Sequence, residues 1–186
     1  MADHARLAVT GALQFASDLG NAASLGFLRA DVAAAQINHI DTAEAARQPG
    51  VLAVWTAADL SLPRYGQIDV AESYLQPPLA TDEVRYVGER IVAIVAEQQA
   101  QVLDAVEHIV IDYELMRPRL DPTRAHLTFT ATEQLSTEEP LSAPTVQLSA
   151  HNPRVAVAPL EPWVAVATPI DATTTLLELG LSLIHI

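Results

Sequence analysis

The sequence contains no cysteine among its 186 residues. That excludes disulfides, thiolate zinc sites, iron–sulfur ligation and a cysteine nucleophile within this stretch. Lysine is missing too: all ten basic residues are arginines, set against 23 acidic ones, for a formal net charge of -13. So acidic a surface repels phosphate backbones and anionic lipid headgroups, and argues against nucleic acid and membrane surfaces as partners. Glycine is scarce, at seven residues, and none forms a phosphate-cradling loop. Val87-Gly88-Glu89 lacks the further glycines of a dinucleotide fingerprint, so Gly88 is read as the hinge of a turn. No apolar run approaches the roughly 20 residues that span a bilayer. Met1 to Leu25 shows no basic segment leading into an apolar one. These features together give a cytoplasmic expectation.

Half of the residues are hydrophobic, enough for a packed core. Asp41 is predicted to cap a helix, with Glu44 completing a capping box and Pro49-Gly50 ending it. Leu25 to Ile37 is ambiguous between strand and helix. Val51 to Trp55 reads as an apolar strand buried on both faces, and Ile91 to Ala96 as an interior strand. Leu60 to Thr81, with three prolines, reads as a long surface loop. Glu97 to His108 reads as a helix with Val102, Ala105, Val106 and Ile109 on one face. Ile109 to Leu115 alternates as a half-buried strand, with Ile111, Tyr113 and Leu115 inward. The fold class is α+β. Thr128 to Asn152 is rich in Thr, Ser, Glu and Pro and reads as a linker or an irregular crossing segment. Val155 to Ala167 reads as a strand pair broken at Pro159 and Pro162.

Candidate chemistry is sparse. The histidines His4, His39, His108, His126, His151 and His185 include no pair at the i, i+4 spacing of a helical metal site. Asp112 and Glu114 share a strand face and are read as solvated charges rather than an acid/base pair. Ser17, Ser24 and Ser182 lack the Gly-x-Ser-x-Gly context of a hydrolase. Trp55 and Trp163 read as core or interface residues. No catalytic, cofactor-binding or metal-ligating residue is assigned.

Ile40-Asp41-Thr42-Ala43-Glu44-Ala45, Pro49-Gly50-Val51, Asp59-Leu60, Val84 to Gly88, Ile91 to Glu97 and Ile111 to Leu115 follow one another in a telling order. They resemble the N-terminal α/β hammerhead domain of the large, molybdopterin-binding subunit of the xanthine dehydrogenase, aldehyde oxidase and aerobic carbon monoxide dehydrogenase family. Gly11, Phe15 and Asp18 resemble that domain's opening turn. Asn152-Pro153-Arg154, Pro159 to Pro162 and Ala165-Val166-Ala167 look like the entry strand of the molybdopterin-binding domain that follows it. Two segments depart from the pattern: Arg29-Ala30 with Ala34-Ala35 replaces Arg-Ser and His-Ala, and Glu89-Arg90 replaces Gln-Pro.

The resemblance implies a hammerhead domain over 1–126, a linker over 127–151 and the incomplete start of the molybdopterin-binding domain over 152–180. It implies a molybdenum–molybdopterin cofactor in the full-length protein, and oxidation of an aldehyde, N-heterocycle or carbon monoxide-type substrate with water-derived oxygen. Iron–sulfur clusters and FAD would sit on partner subunits or domains, in a dimer of heterotrimers with an iron–sulfur and a flavin subunit. Glu161 is the one residue placed near a cofactor, with a structural role favoured. The hexapeptide Leu181-Ser182-Leu183-Ile184-His185-Ile186 fits the translation of a transposase mosaic-end adapter, so 181–186 is expected to be an adapter-derived tail and the gene to continue past Gly180. The fragment itself is expected to be structural and inactive. The alternative is a stand-alone, non-catalytic assembly or interaction module.

Overall fold

The computed structural model describes residues 22–66, 72–121 and 163–180, together with 6, 7, 9–12, 124, 148 and 150. The chain divides into two compact units, Ala23–Phe129 and a second formed by Met1–Ala22 with Thr130–Ile186.

The first unit is built on two three-stranded sheets. Strand β5 (Arg90–Ala96) is central in one, flanked by β1 (Ser24–Arg29) and β3 (Val51–Trp55), both antiparallel to it. The run Ile91-Val92-Ala93-Ile94 is buried, as predicted for an interior strand flanked on both edges. The Ala-rich stretch of ambiguous type resolves into two strands, β1 and β2 (Ala35–Asp41). The second sheet places β2 between β4 (Glu83–Val84) and β6 (Val110–Leu115).

Two bulges set which side chains face the core. Ile37 and Ile40 are three residues apart and would face opposite sides of a regular strand. The pairing with β6 shifts between Ile37 and His39, and both isoleucines pack against the core with Ile111 and Tyr113. In β3 the shift between Val51 and Ala53 does the same for Val51 and Val54. This corrects the reading of β3 as buried on both faces. It is an edge strand, with Leu52 and Trp55 exposed.

Helix α1 (Gln99–Val106) lies on β1, β5 and β3 of the first sheet. Its buried residues, Val102 and Ala105, belong to the predicted stripe, and Val106 and Ile109 pack beside them. Gly26 of β1 sits directly beneath Val102, where a Cβ would overlap the valine's Cγ1. The helix is shorter than the predicted Glu97 to His108. The Gln98 backbone N–H donates to Gln101 Oε1 at 2.9 Å, and the Glu97 N–H goes to the Gly50 carbonyl at 2.9 Å.

Asp41 ends β2 instead of capping a helix. Its Oδ1 accepts the Ala43 N–H at 2.9 Å, and only a single 3-10 turn, Ala45–Arg47, follows. Local hydrogen bonding of this kind competes with helix capping for the same carboxylate. In β6, Ile111 and Tyr113 face inward as expected, but Leu115 is exposed at the end of the strand. Between β3 and β4, the described residues of the proline-containing loop form a 3-10 turn, Glu72–Tyr74, and a bridge between Tyr65 and Gln76. Leu79 and Ala80 at its end are buried.

In the second unit the described strands are β7 (Val164–Pro169) and β8 (Thr175–Gly180), an antiparallel hairpin. Asp171 Oδ1 shapes its turn by accepting from Thr173 N and Oγ1 at 2.8 and 2.9 Å. Leu176, Leu177, Leu179, Trp163 and Ile170 are exposed. Of the predicted strand pair over 155–167, residues 164–167 lie in β7 and 155–162 fall outside the described residues. Residues 151–162, including Glu161, and the tail 181–186 lie outside the described residues.

Candidate functional site

The densest polar arrangement lies in the turn leading into β5. Gly88 has φ +90°, a left-handed conformation that a glycine adopts without strain, as the sequence suggested for this position. The turn presents the Glu89 carboxylate, only 4% exposed, to Arg85. Glu89 Oε2 accepts the Arg85 backbone N–H at 2.6 Å, and Oε1 accepts Nε and Nη2 of the guanidinium at 3.2 and 2.7 Å. The same turn is stitched to the end of β1. Ala30 N donates to Glu89 O at 2.8 Å, Gly88 N to Ala30 O at 2.8 Å, and Arg29 Nη1 to Gly88 O at 2.9 Å. With every oxygen of Glu89 engaged in holding the loop, its carboxylate is structural.

Arg29 and Arg90 are cross-strand partners where β1 meets β5. Both guanidiniums lie over the Phe27 ring, at 5.7 and 5.6 Å from its centroid. Arg90 also stacks on Tyr65 at 5.8 Å and donates to its hydroxyl at 2.8 Å. Among the described residues neither arginine has a carboxylate within ion-pair distance. Sequence reading missed this pair. The residues are 61 positions apart, and only the strand register, which no local pattern reveals, makes them neighbours.

The sequence-stated candidates do not converge. Asp112 and Glu114 are exposed and stand opposite His39 and Gln36 of β2, a solvated strand face as read. His39 and His108 are exposed and apart from any acidic cluster. The other four histidines, with Ser17 and Ser182, lie outside the described residues. Trp55 is 37% exposed on an edge strand and Trp163 is 67% exposed, so neither is a core residue.

Among the described residues three groups have displaced acidities, and none of the three sits in a catalytic setting. The Thr56 backbone N–H and then its hydroxyl, both at 2.7 Å, hold the Asp59 carboxyl below its ordinary range. Thr173 N–H and hydroxyl, followed by Thr174, do the same for Asp171. Burial, with a smaller push from Asp31, raises the Tyr113 phenol. Among the described residues no three His, Asp or Glu side chains group as metal ligands. No helix there is long and apolar enough to cross a membrane. The polar cleft lined by Gln36, Arg64, Asp82, Glu83 and Arg85 already has its Arg85 committed to Glu89. Among the described residues the side chains of this cleft form no cluster of His, Asp or Glu that could ligate a metal, and no residue there is assigned to a molybdenum–pterin cofactor.

Residues 10–117, more than half the chain, match the family described as aldehyde oxidase and xanthine dehydrogenase, a/b hammerhead domain. The chain is 39% identical over 104 residues to the nicotine 6-hydroxylase large subunit of Paenarthrobacter nicotinovorans, covering 53% of this chain and 13% of that protein. It is 34% identical over 99 residues to the carbon monoxide dehydrogenase large chain of Afipia carboxidovorans, covering 53% and 12%. Among solved structures, quinoline 2-oxidoreductase from Pseudomonas putida 86 superposes with a TM-score of 0.52 at 32% identity, over 61% of this chain and 15% of that one. Carbon monoxide dehydrogenase from Oligotropha carboxidovorans gives a TM-score of 0.57 at 29% identity, over 65% and 15%. The chain therefore spans about a seventh of the length of these relatives and belongs, through its α/β hammerhead domain, to the molybdenum hydroxylase family of xanthine dehydrogenases and aldehyde oxidases.

Proposed function

We propose that this chain is the N-terminal part of the large subunit of a molybdenum hydroxylase that oxidises an aldehyde, an N-heterocycle or a carbon monoxide-type substrate with water-derived oxygen. The observation that carries this reading is the hammerhead match over residues 10–117 in a chain that spans about a seventh of the length of its relatives. The hammerhead, 1–126, then serves as scaffold. A linker over 127–151 leads to the start of the molybdopterin-binding domain over 152–180, and 181–186 is a foreign tail. Molybdenum–molybdopterin binds in the complete subunit, which works in the cytoplasm with an iron–sulfur and a flavin subunit as a dimer of heterotrimers. Relatives named as a large subunit, a complex subunit gamma and a large chain support a multi-subunit setting. The substrate class follows the same relatives, whose names cover a nicotine hydroxylase, a carbon monoxide dehydrogenase and aldehyde oxidases. Cofactor chemistry of this kind leaves the polypeptide to bind and position, and the scaffold's share is to hold its two sheets rigid.

The test has two arms. Genomic DNA beyond codon 180 is expected to continue in frame, with genes for iron–sulfur and flavin subunits nearby. The 186-residue chain, made in a host that synthesises the cofactor, is expected to retain no molybdenum and to show no dehydrogenase activity. A genuine stop codon after Ile186 in genomic DNA, or a molybdenum-loaded and active 186-residue protein, refutes the reading.

A further inference from the structure

Between β3 and β4 the described chain forms two arms, 60–66 and 72–80. The arms meet in one isolated bridge, where Tyr65 and Gln76 exchange both backbone hydrogen bonds at 2.8 Å. Pro77, next after Gln76, has no N–H with which to lengthen the pairing. Around the bridge the fit is loose. Arg64 Nη1 reaches the Leu75 carbonyl only at 3.4 Å, and an apolar pocket of about 50 Å³ remains between the arms, lined in part by Leu60, Leu62, Pro77 and Leu79. An isolated two-stranded hairpin is marginal in water even when it is longer than this. The bridge therefore needs support from outside the arms.

That support comes from one residue of β5. At the base of the second arm the Arg90 carbonyl accepts the Ala80 N–H at 2.7 Å. The Arg90 side chain reaches the first arm, where Nη2 donates to the Tyr65 hydroxyl at 2.8 Å. Its guanidinium carbon lies 5.8 Å from the Tyr65 ring centroid and 5.6 Å from that of Phe27 on β1. The two arms differ in how else they are held. Leu79 and Ala80 are buried, whereas residues 61–66 are exposed throughout. Arg29, opposite Arg90 in register, works against the tie, since like charges so placed repel.

We propose that Arg90 is the latch of a strap formed by these arms. In the closed state its guanidinium holds Tyr65 to the Phe27 end of the sheet, and the Tyr65–Gln76 bridge forms. In the open state Tyr65 leaves the sheet, the bridge parts and the first arm swings away, while the buried base at Leu79 and Ala80 stays in place. A hydrogen bond and a cation–π contact at an exposed site are each modest in water. Opening is thus a local event, reached without unfolding the two sheets.

Amide hydrogen exchange, followed by NMR on the intact 186-residue chain, reads the latch at the two bridge amides, Tyr65 and Gln76. Both are expected to exchange faster than the β5 amides of Val92 and Ile94. Arg90→Met keeps a long side chain but loses the charge and every donor, and is expected to speed exchange at Tyr65 and Gln76 about tenfold or more. Tyr65→Phe keeps the ring and loses only the hydroxyl, and is expected to speed it several-fold. Val92 and Ile94 should be unchanged in both variants, and thermal melts show that each is folded. Unchanged exchange at the bridge amides in folded Arg90→Met overturns the latch. Equal acceleration at residues 65, 76, 92 and 94 overturns it as well, because the whole unit would then be loosening together.

Discussion

Gly26 and Val102 make the packing of α1 on β1 testable by a reciprocal pair of substitutions. Gly26 lies mid-strand with no positive φ, so an alanine meets no backbone obstacle and gains about 0.5–1 kcal/mol by restricting the unfolded chain. Against that, its methyl enters the space held by Val102 Cγ1, and overpacking of a tight core costs about 1–3 kcal/mol. The overlap wins, and Gly26→Ala is expected to destabilise by about 1 kcal/mol. Val102 is 1% exposed. Val102→Ala removes two methyl groups, worth about 0.8 kcal/mol each by transfer, and with the cavity left behind costs about 2 kcal/mol. In the double variant the new methyl at 26 occupies part of the vacated volume. The pair should then be less destabilised than the sum of the singles by about 1 kcal/mol, within the range known for contacting residues. Urea unfolding followed by far-UV circular dichroism measures all four proteins. Additivity within about 0.3 kcal/mol would refute direct packing of the helix on Gly26.

Glu89→Gln keeps an acceptor for the Arg85 backbone but loses the charge on its guanidinium. About 1–2 kcal/mol is expected, the lower part of the charged hydrogen-bond range because the Arg85 side chain is 35% exposed and water recovers part of the loss. An unchanged urea midpoint would contradict the lock. The Asp59 carboxyl lies below its ordinary range in the folded state. Its contribution is thus present above the unfolded value, about 3.9, and lost as pH falls through the lower folded one. An NMR titration of the Asp59 carboxyl should show that lowered midpoint, and Thr56→Ala, which removes the hydroxyl and keeps the larger backbone N–H contribution, should relieve it only in part. Tyr113 is raised by burial, so its contribution is present below about pH 10 and lost as pH climbs through the folded value. Phenolate absorbance should show a late-ionising tyrosine that disappears in Tyr113→Phe; its persistence in that variant would refute the assignment.

What the sequence determined by itself was what period and composition carry. The unbroken apolar run of β5, the alternation of Ile111 and Tyr113, the Val102–Ala105 stripe of α1 and the turn at Gly88 were all legible. So was the family, from the order of short segments between Ile40 and Leu115. The tertiary structure alone decided the rest, because it depends on register and on neighbours remote in sequence. The bulges beside Asn38 and Leu52 reverse which residues face the core, and no local pattern announces a bulge. The run Val51 to Trp55 spells an interior strand, yet its place at a sheet edge leaves Trp55 on an uncovered face. Asp41 has the chemistry of a helix cap but commits its carboxylate to a turn, since β2 runs up to it as its last residue. Arg29 and Arg90 became a pair only when β1 met β5, for hydrophobic periodicity fixes faces along one strand and says nothing about which strand lies alongside.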